Sequence, residues 1–243
     1  MLPILYQNHN LIIYAYPMLM GIGWGIAYQI FFSLLGANVS RLKGQTIFWG
    51  IFLAAWVGAK VFFYLTVPKN NNLLSEINFW TGGGFVFYGG LLGALGYLGI
   101  YRLFDKKLAL TSFWPLLPAL AFGHGIGRVG CFLAGCCYGK PTEFMWGVFL
   151  HGEYRHPTQL IEALGLSLLG LYLIRSKAQK ITLFTNYLVI YGGLRIVIEA
   201  LRGDEIRGAW LNQPPSLWVS LMLLLVGLIL KFSKKNDPLC EWP

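Results

Sequence analysis

The chain has 243 residues, and only 29 of them carry a formal charge, 19 Lys and Arg against 10 Asp and Glu. Charged residues make up 12% of the chain and hydrophobic ones 56%, whereas an ordinary soluble domain is about 25% charged. So few charges cannot cover the surface of a soluble globule, and 16% aromatic residues exclude a disordered chain. Four cysteines are too few for a disulfide scaffold. The net charge of +9 would suit nucleic acid, but its distribution along the chain points to a membrane.

Taken in order, seven apolar runs are long enough to approach the 20 or so residues that a membrane-spanning helix needs. They are Leu11–Leu35, Gln45–Val67, Phe85–Phe104, Leu108–Leu133, Thr158–Ile174, Ile181–Leu201 and Ser216–Phe232. No Lys or Arg precedes Arg41, so the first run lacks the basic start of a cleavable signal and reads as a span. The expectation is an all-α polytopic membrane protein with seven transmembrane helices, residues 1–243 forming a single transmembrane domain. Eleven of the 19 basic residues fall in alternate loops and the tail: Arg41, Lys43, Arg102, Lys106, Lys107, Arg175, Lys177, Lys180, Lys231, Lys234 and Lys235. The positive-inside rule then places the N-terminus outside and the C-terminus in the cytoplasm. Two long loops, about 68–84 and 135–157, face outward, and a tail of about 233–243 is cytoplasmic.

A few charges sit inside or at the ends of the spans: Lys60, Arg128, Arg195 and Arg202, with Glu162 and Glu199. A charge in hydrocarbon is a functional-site candidate by default; the plainer readings are snorkelling to the headgroups and ion pairing between helices. Arg195, Glu199 and Arg202 are spaced i, i+4, i+7 on one helical face. Glu199 is placed to hold both arginines while their outer forks stay free for a phosphate, which arginine matches bidentately. His124, Arg128 and Cys131 repeat the spacing, with Gly123, Gly127 and Gly130 beside them as a packing stripe. Gln159 and Glu162 share a face just after Pro157, a residue suited to a first helical turn. The combination predicts a polar, Arg-rich pocket that takes an anionic phospholipid headgroup.

Cys131, Cys136 and Cys137 lie close in sequence. Their spacing fits no common zinc pattern, so no metal is expected. A disulfide on an outward face, a thiol activated by Arg128 and plain apolar packing all remain open readings.

Several motifs resemble the prolipoprotein diacylglyceryl transferase family, and together they cover nearly the whole chain. Gly58-Ala59-Lys60 resembles its second-span Gly-Gly-Arg, with Lys for Arg. Phe87-Tyr88-Gly89-Gly90 resembles its Phe-His-Gly-Gly. The stretch from Gly127-Arg128 to Gly139 resembles its Gly-Arg-x-Gly-Asn-Phe-x-Asn-Gly-Glu-x-x-Gly signature, with Cys131, Ala134 and Cys136 where that signature has Asn, Asn and Glu. His156-Pro157-Thr158-Gln159-Leu160 with Glu162 is similar to its His-Pro-Ser-Gln-Leu-Tyr-Glu, and Arg195, Glu199 and Arg202 to its late Arg-x-x-x-Glu-x-x-Arg.

The resemblance implies a multi-pass enzyme of the bacterial inner membrane, with its active site facing outward. It would move a diacylglyceryl group from phosphatidylglycerol to a thiol, most naturally a lipoprotein-precursor cysteine. No cofactor, metal or nucleic acid is implied. Arg128, Arg195, His124, Tyr88 and Glu199 are the expected catalytic residues. Arg202, Lys60, Gly139, Gln159, Glu162, Cys131 and Cys136 are the expected substrate-binding ones. Because the phosphate-binding part of the signature is kept and the rest is altered, the alternatives are a paralogue with another acceptor and a non-catalytic phospholipid-binding or transport protein.

Overall fold

The computed structural model describes residues 2–9, 11–37, 39–66, 86–106, 110–204 and 213–235. Loop 68–84 and most of the tail from 233 onward lie outside the described residues, as does Cys240. Seven α-helices are present among the described residues: α1 Ala15–Leu34, α2 Arg41–Thr66, α3 Phe87–Phe104, α4 Leu116–Ala134, α5 Thr158–Arg175, α6 Lys180–Leu201 and α7 Pro215–Lys235. All except α3 are long and apolar enough to cross a membrane, and the chain is a multi-pass membrane protein. Helix α3 has the expected length, but five glycines, three tyrosines and Arg102 dilute its apolar character.

The architecture is all-helical as expected, with two small hairpins accompanying the helices. Strands β1 Ile4–Asn8 and β2 Leu11–Tyr14 pair antiparallel, with Tyr6 opposite Ile13 and Asn8 opposite Leu11. The first apolar run therefore starts as a strand, and its helix begins only at Ala15. The β-branched and aromatic run Ile12-Ile13-Tyr14 favours extended backbone. Strands β3 Val148–Leu150 and β4 Glu153–Arg155 form the second hairpin, inside the loop that precedes α5. The fourth apolar run also starts late: a 3-10 turn, Leu110–Phe113, precedes Pro115, and α4 opens at Leu116. Proline tolerates a first helical turn because it lacks only an N–H that would have no intrahelical partner.

The described chain divides into two compact units. One, residues 35–112, is built on α2 packed against α3. Its helices meet through glycines: a Cβ at Gly58 would overlap the Gly89 carbonyl, and one at Gly93 would overlap that of Ala54. The phenol of Tyr97 donates to the Thr46 carbonyl at 2.8 Å, and Lys43 pairs with Asp105 at 2.6 Å.

The other unit comprises residues 1–34 and 113–243. In it α4 packs on α1 and α5, α5 on α6, and α6 on α7. The predicted glycine stripe of α4 is the seam with α1: Gly123 faces Gly23, Gly127 faces Met20 and Gly130 faces Tyr16. The opposite face of α4 joins a core of Leu117, Ala121, Leu166, Leu169, Leu173, Leu183, Tyr187 and Tyr191. Gly125 lies against the backbone of Ala163, which brings α4 and α5 into close approach.

Glycine positions can be told apart by experiment. Gly58→Ala places a methyl group against backbone and is expected to lower stability by about 1–3 kcal/mol, as overpacking does. Gly96→Ala meets nothing within 4 Å and is expected to be stabilising by about 0.5–1 kcal/mol. Thermal unfolding of the two variants in detergent should move in opposite directions.

Candidate functional site

The last turns of α4 and α6 and the first turns of α5 and α7 come together at one end of the larger unit. Glu162, one turn into α5, is 1% exposed and lies at the centre. Its Oε2 is 2.9 Å from Nε of Arg128 on α4 and accepts a hydrogen bond of 3.0 Å from Arg195 on α6. The Arg128 contact brings charge to charge without hydrogen-bond geometry at Nε. The other carboxylate oxygen, Oε1, lies 3.8 Å from Nε2 of His124, one turn before Arg128. Tyr191 of α6 sets the His124 ring from the side, with centroids 5.9 Å apart at 69°.

Arg195 spans two carboxylates. One of its terminal nitrogens reaches Glu162 at 3.0 Å, and the other reaches Glu199 at 3.2 Å across one turn of α6. Ser216, in the first turn of α7, donates to the same Glu199 oxygen at 2.8 Å. The predicted pairing of Glu199 with Arg202 gives way to another partner. Helix α6 ends at Leu201, so Arg202 leaves the helical face and forks onto Asp204, at 2.9 Å from Nε and 2.6 Å from a terminal nitrogen. The outer forks of Arg195 and Arg202 are thus engaged by side chains rather than held open.

The loop after α4 folds onto the same end. Gly135 caps α4 in the left-handed conformation (φ 77°), which reverses the chain. Three short backbone segments then align. The Lys140 N–H donates to the Leu201 carbonyl at 2.8 Å, Gly203 donates to Tyr138 at 3.1 Å, and Gly139 donates to His156 at 3.1 Å. Gly139 cannot be larger, because a Cβ there would meet the backbone and Cβ of His156. Arg155 donates to the Gly139 carbonyl at 3.3 Å and lies over the Tyr138 ring at 4.8 Å. From α5, Thr158 donates to the Cys137 carbonyl at 2.9 Å, and Gln159 to the Cys136 carbonyl at 2.6 Å.

Cys131, Cys136 and Cys137 converge, their sulfurs all within 4.8 Å of one another, and none forms a disulfide. The Cys137 thiol is pulled well below its ordinary value. The adjacent Cys131 and Cys136 thiols are the main cause; Arg202 and Arg128 add to it, and burial opposes it.

Of the residues singled out in the sequence, the fold assembles His124, Arg128, Glu162, Arg195 and Glu199 directly, with Cys131 of α4, Gln159 of α5, Arg202 at the end of α6, and Gly139 and Cys136 of the loop after α4 beside them. Lys60 and Tyr88 belong to the smaller unit. Lys60 is fully buried, its ammonium 6.0 Å from the Trp56 ring centroid, and Tyr88 is half-buried in the first turn of α3. Sequence reading did not assign a site role to Ser216, Asp204, Thr158 or Tyr191. Ser216 had a signal in Pro214-Pro215-Ser216, a helix start with a short polar residue. Thr158 stood within the His156–Leu160 motif and Tyr191 just ahead of Arg195, but neither was given a role, and Asp204 carries no spacing rule that would mark it.

Two buried acceptors on the shared face of α5, Oε1 of Gln159 and Oε1 of Glu162, have no hydrogen-bond partner among the described residues. Taken together, the cluster offers guanidinium groups for an anion, acceptors for hydroxyl groups, and an imidazole within reach of a carboxylate.

Removing the central carboxylate should be severe. Glu162→Gln leaves Arg128 and Arg195 facing a neutral amide in a buried site and is expected to destabilise by about 3–5 kcal/mol. Ser216→Ala removes one hydrogen bond and should lower stability by about 0.5–1.5 kcal/mol. Denaturation of the two variants in the same detergent checks the ranking.

A family model described as prolipoprotein diacylglyceryl transferase matches residues 3–233. A phosphatidylglycerol–prolipoprotein diacylglyceryl transferase of Clostridium tetani (strain Massachusetts / E88) is 32% identical over 243 residues, covering 94% of this chain and 96% of the relative. The phosphatidylglycerol–prolipoprotein diacylglyceryl transferase 2 of Clostridium perfringens (strain 13 / Type A) is 29% identical, covering 93% of each. A protein of the same name from Finegoldia magna is 31% identical, covering 91% of each.

Proposed function

The chain belongs to the prolipoprotein diacylglyceryl transferase family, and on that premise we propose that it transfers a diacylglyceryl group from phosphatidylglycerol to the thiol of a prolipoprotein cysteine. The observation that carries this reading is the buried Arg128–Glu162–Arg195 cluster. In the reaction the acceptor sulfur forms a bond to the glyceryl carbon. The bond from that carbon to the phosphate oxygen breaks, and its electron pair leaves with glycerol phosphate. Negative charge grows on that oxygen, where fixed guanidinium groups are most effective.

Arg128 and Arg195 hold the phosphate, and Glu162 and Glu199 orient them. The phosphate competes with these carboxylates for the guanidinium groups, so binding loosens existing pairs instead of filling idle forks. His124, near but not bonded to Glu162, takes the thiol proton. The unpartnered Oε1 atoms of Gln159 and Glu162 suit the hydroxyls of a glycerol headgroup. Arg202, Gly139, Cys131 and Cys136 border the acceptor side. Lys60 and Tyr88, both in the smaller unit, enter through their family motifs alone.

The location proposed is the bacterial inner membrane, with seven spans, the N-terminus outside and the C-terminus in the cytoplasm. Support comes from Arg41, Lys43, Arg102, Lys106, Arg175, Lys177, Lys180 and Lys231 clustering at alternate helix ends. The charged cluster then lies about 6–9 Å inside the outer ends of α4 and α5, at 1.5 Å per helical residue.

Purified protein given labelled phosphatidylglycerol and a cysteine-containing lipobox peptide should yield a thioether-linked lipopeptide and one glycerol phosphate per transfer. Headgroup release with a different thiol alone would redirect the reading to another acceptor. Binding without any turnover would overturn the transferase. Arg195→Lys keeps one charge but not the fork, and should lower kcat by about 10²–10³-fold.

A further inference from the structure

The three thiols beside the charged cluster are drawn together by a backbone that a plain packing role would not require. Residues that follow one another in extended chain point to opposite sides. Cys137 has φ 62°, a left-handed conformation uncommon for a residue with a Cβ. With Gly135 also left-handed at φ 77°, the chain folds back until Cys136 and Cys137 both face Cys131.

That unfavourable conformation is fixed from several directions. Cys136 N–H donates to the Cys131 carbonyl at 3.1 Å. Gln159 and Thr158 hold the carbonyls of Cys136 and Cys137, and the His151 ring bonds the Gly135 carbonyl at 2.8 Å. Strain of this kind persists only where the surroundings over-determine it, and it gathers at ligand clamps and active sites.

We propose that Cys131, Cys136 and Cys137 form a site for a thiophilic divalent metal ion of zinc-like chemistry, with a fourth coordination position open. Zinc lies about 2.3 Å from thiolate sulfur, which puts tetrahedral sulfurs about 3.8 Å apart. The three sulfurs are already within 4.8 Å, so the site closes by about 1 Å or less. Three thiolates and a dication carry a net charge of −1, which Arg128 and Arg202, both electrostatic neighbours of Cys137, ease while staying paired with Glu162 and Asp204. Cys136 is exposed and gives the ion a way in, while Cys131 is buried at the foot of the site. The sequence spacing concealed this, because it matches no usual zinc pattern; the left-handed turn supplies what spacing would otherwise provide. The site shares Cys131, Cys136 and Arg128 with the transferase site proposed above, but its test reads metal binding and not turnover.

The test is a cadmium titration of the full-length protein in detergent, reduced and then freed of reductant under anaerobic conditions. A near-ultraviolet thiolate-to-cadmium band should saturate at one ion per chain. Zinc should displace it, and all three thiols should become protected from alkylation together. Cys137→Ser and Cys136→Ser should each weaken binding by at least about tenfold. Cys240→Ser should leave the band intact, and a retained melting transition in each variant separates loss of the site from loss of the fold. Absence of the band, a band unchanged in Cys137→Ser, or protection of fewer than three thiols would each overturn the proposal.

Discussion

One buried carboxylate organises the larger unit. Glu162 is almost wholly excluded from solvent, and it faces Arg128 from one helix and Arg195 from another. An isolated carboxylate or guanidinium in a medium of low dielectric is very costly, and each becomes tolerable only when matched. The three helices therefore cannot settle independently. Their relative heights are fixed by the need to bring these charges level, and apolar packing below them, between Leu166, Leu169, Leu173, Leu183 and Tyr187, then follows that register.

Glycine supplies the other constraint. Gly125 against the Ala163 backbone brings α4 and α5 into close approach beside the charged cluster. The stripe of Gly123, Gly127 and Gly130 does the same on the α1 side. The polar and small-residue faces of α4 thus serve different neighbours, the charges meeting α5 and α6 and the glycine stripe meeting α1.

Much of this was legible in the residues. Hydropathy located the helices to within a few positions where nothing interrupts them, as for α5 and α6. The charged candidates emerged because few side chains could be charged in such segments without a partner. What was not legible depended on chain reversals. Arg202 falls on the Arg195 face if α6 continues, but α6 stops one residue earlier, and Asp204 takes the guanidinium. Leu11–Tyr14 read as helix by apolarity, yet pairing with Ile4–Asn8 claims it for a hairpin. The convergence of the cysteines turns on the backbone angles of Gly135 and Cys137, which no count of spacings conveys. Partners such as Ser216 come from a helix distant in sequence, where no local period applies.

The distribution of the buried charges along the chain bears on how such a protein enters a bilayer. Helices emerge in order, and an unmatched ion cannot rest easily in lipid. Arg128 and Glu162 lie on α4 and α5, successive helices joined by a folded loop, so this hairpin is balanced as soon as its two arms are in place. Arg195 arrives with Glu199 one turn away on the same helix, so α6 carries its own counter-ion through the translocation machinery. Each pair is therefore neutral on the piece of chain that brings it, and the shared contacts of the finished cluster are left to the last stage of assembly.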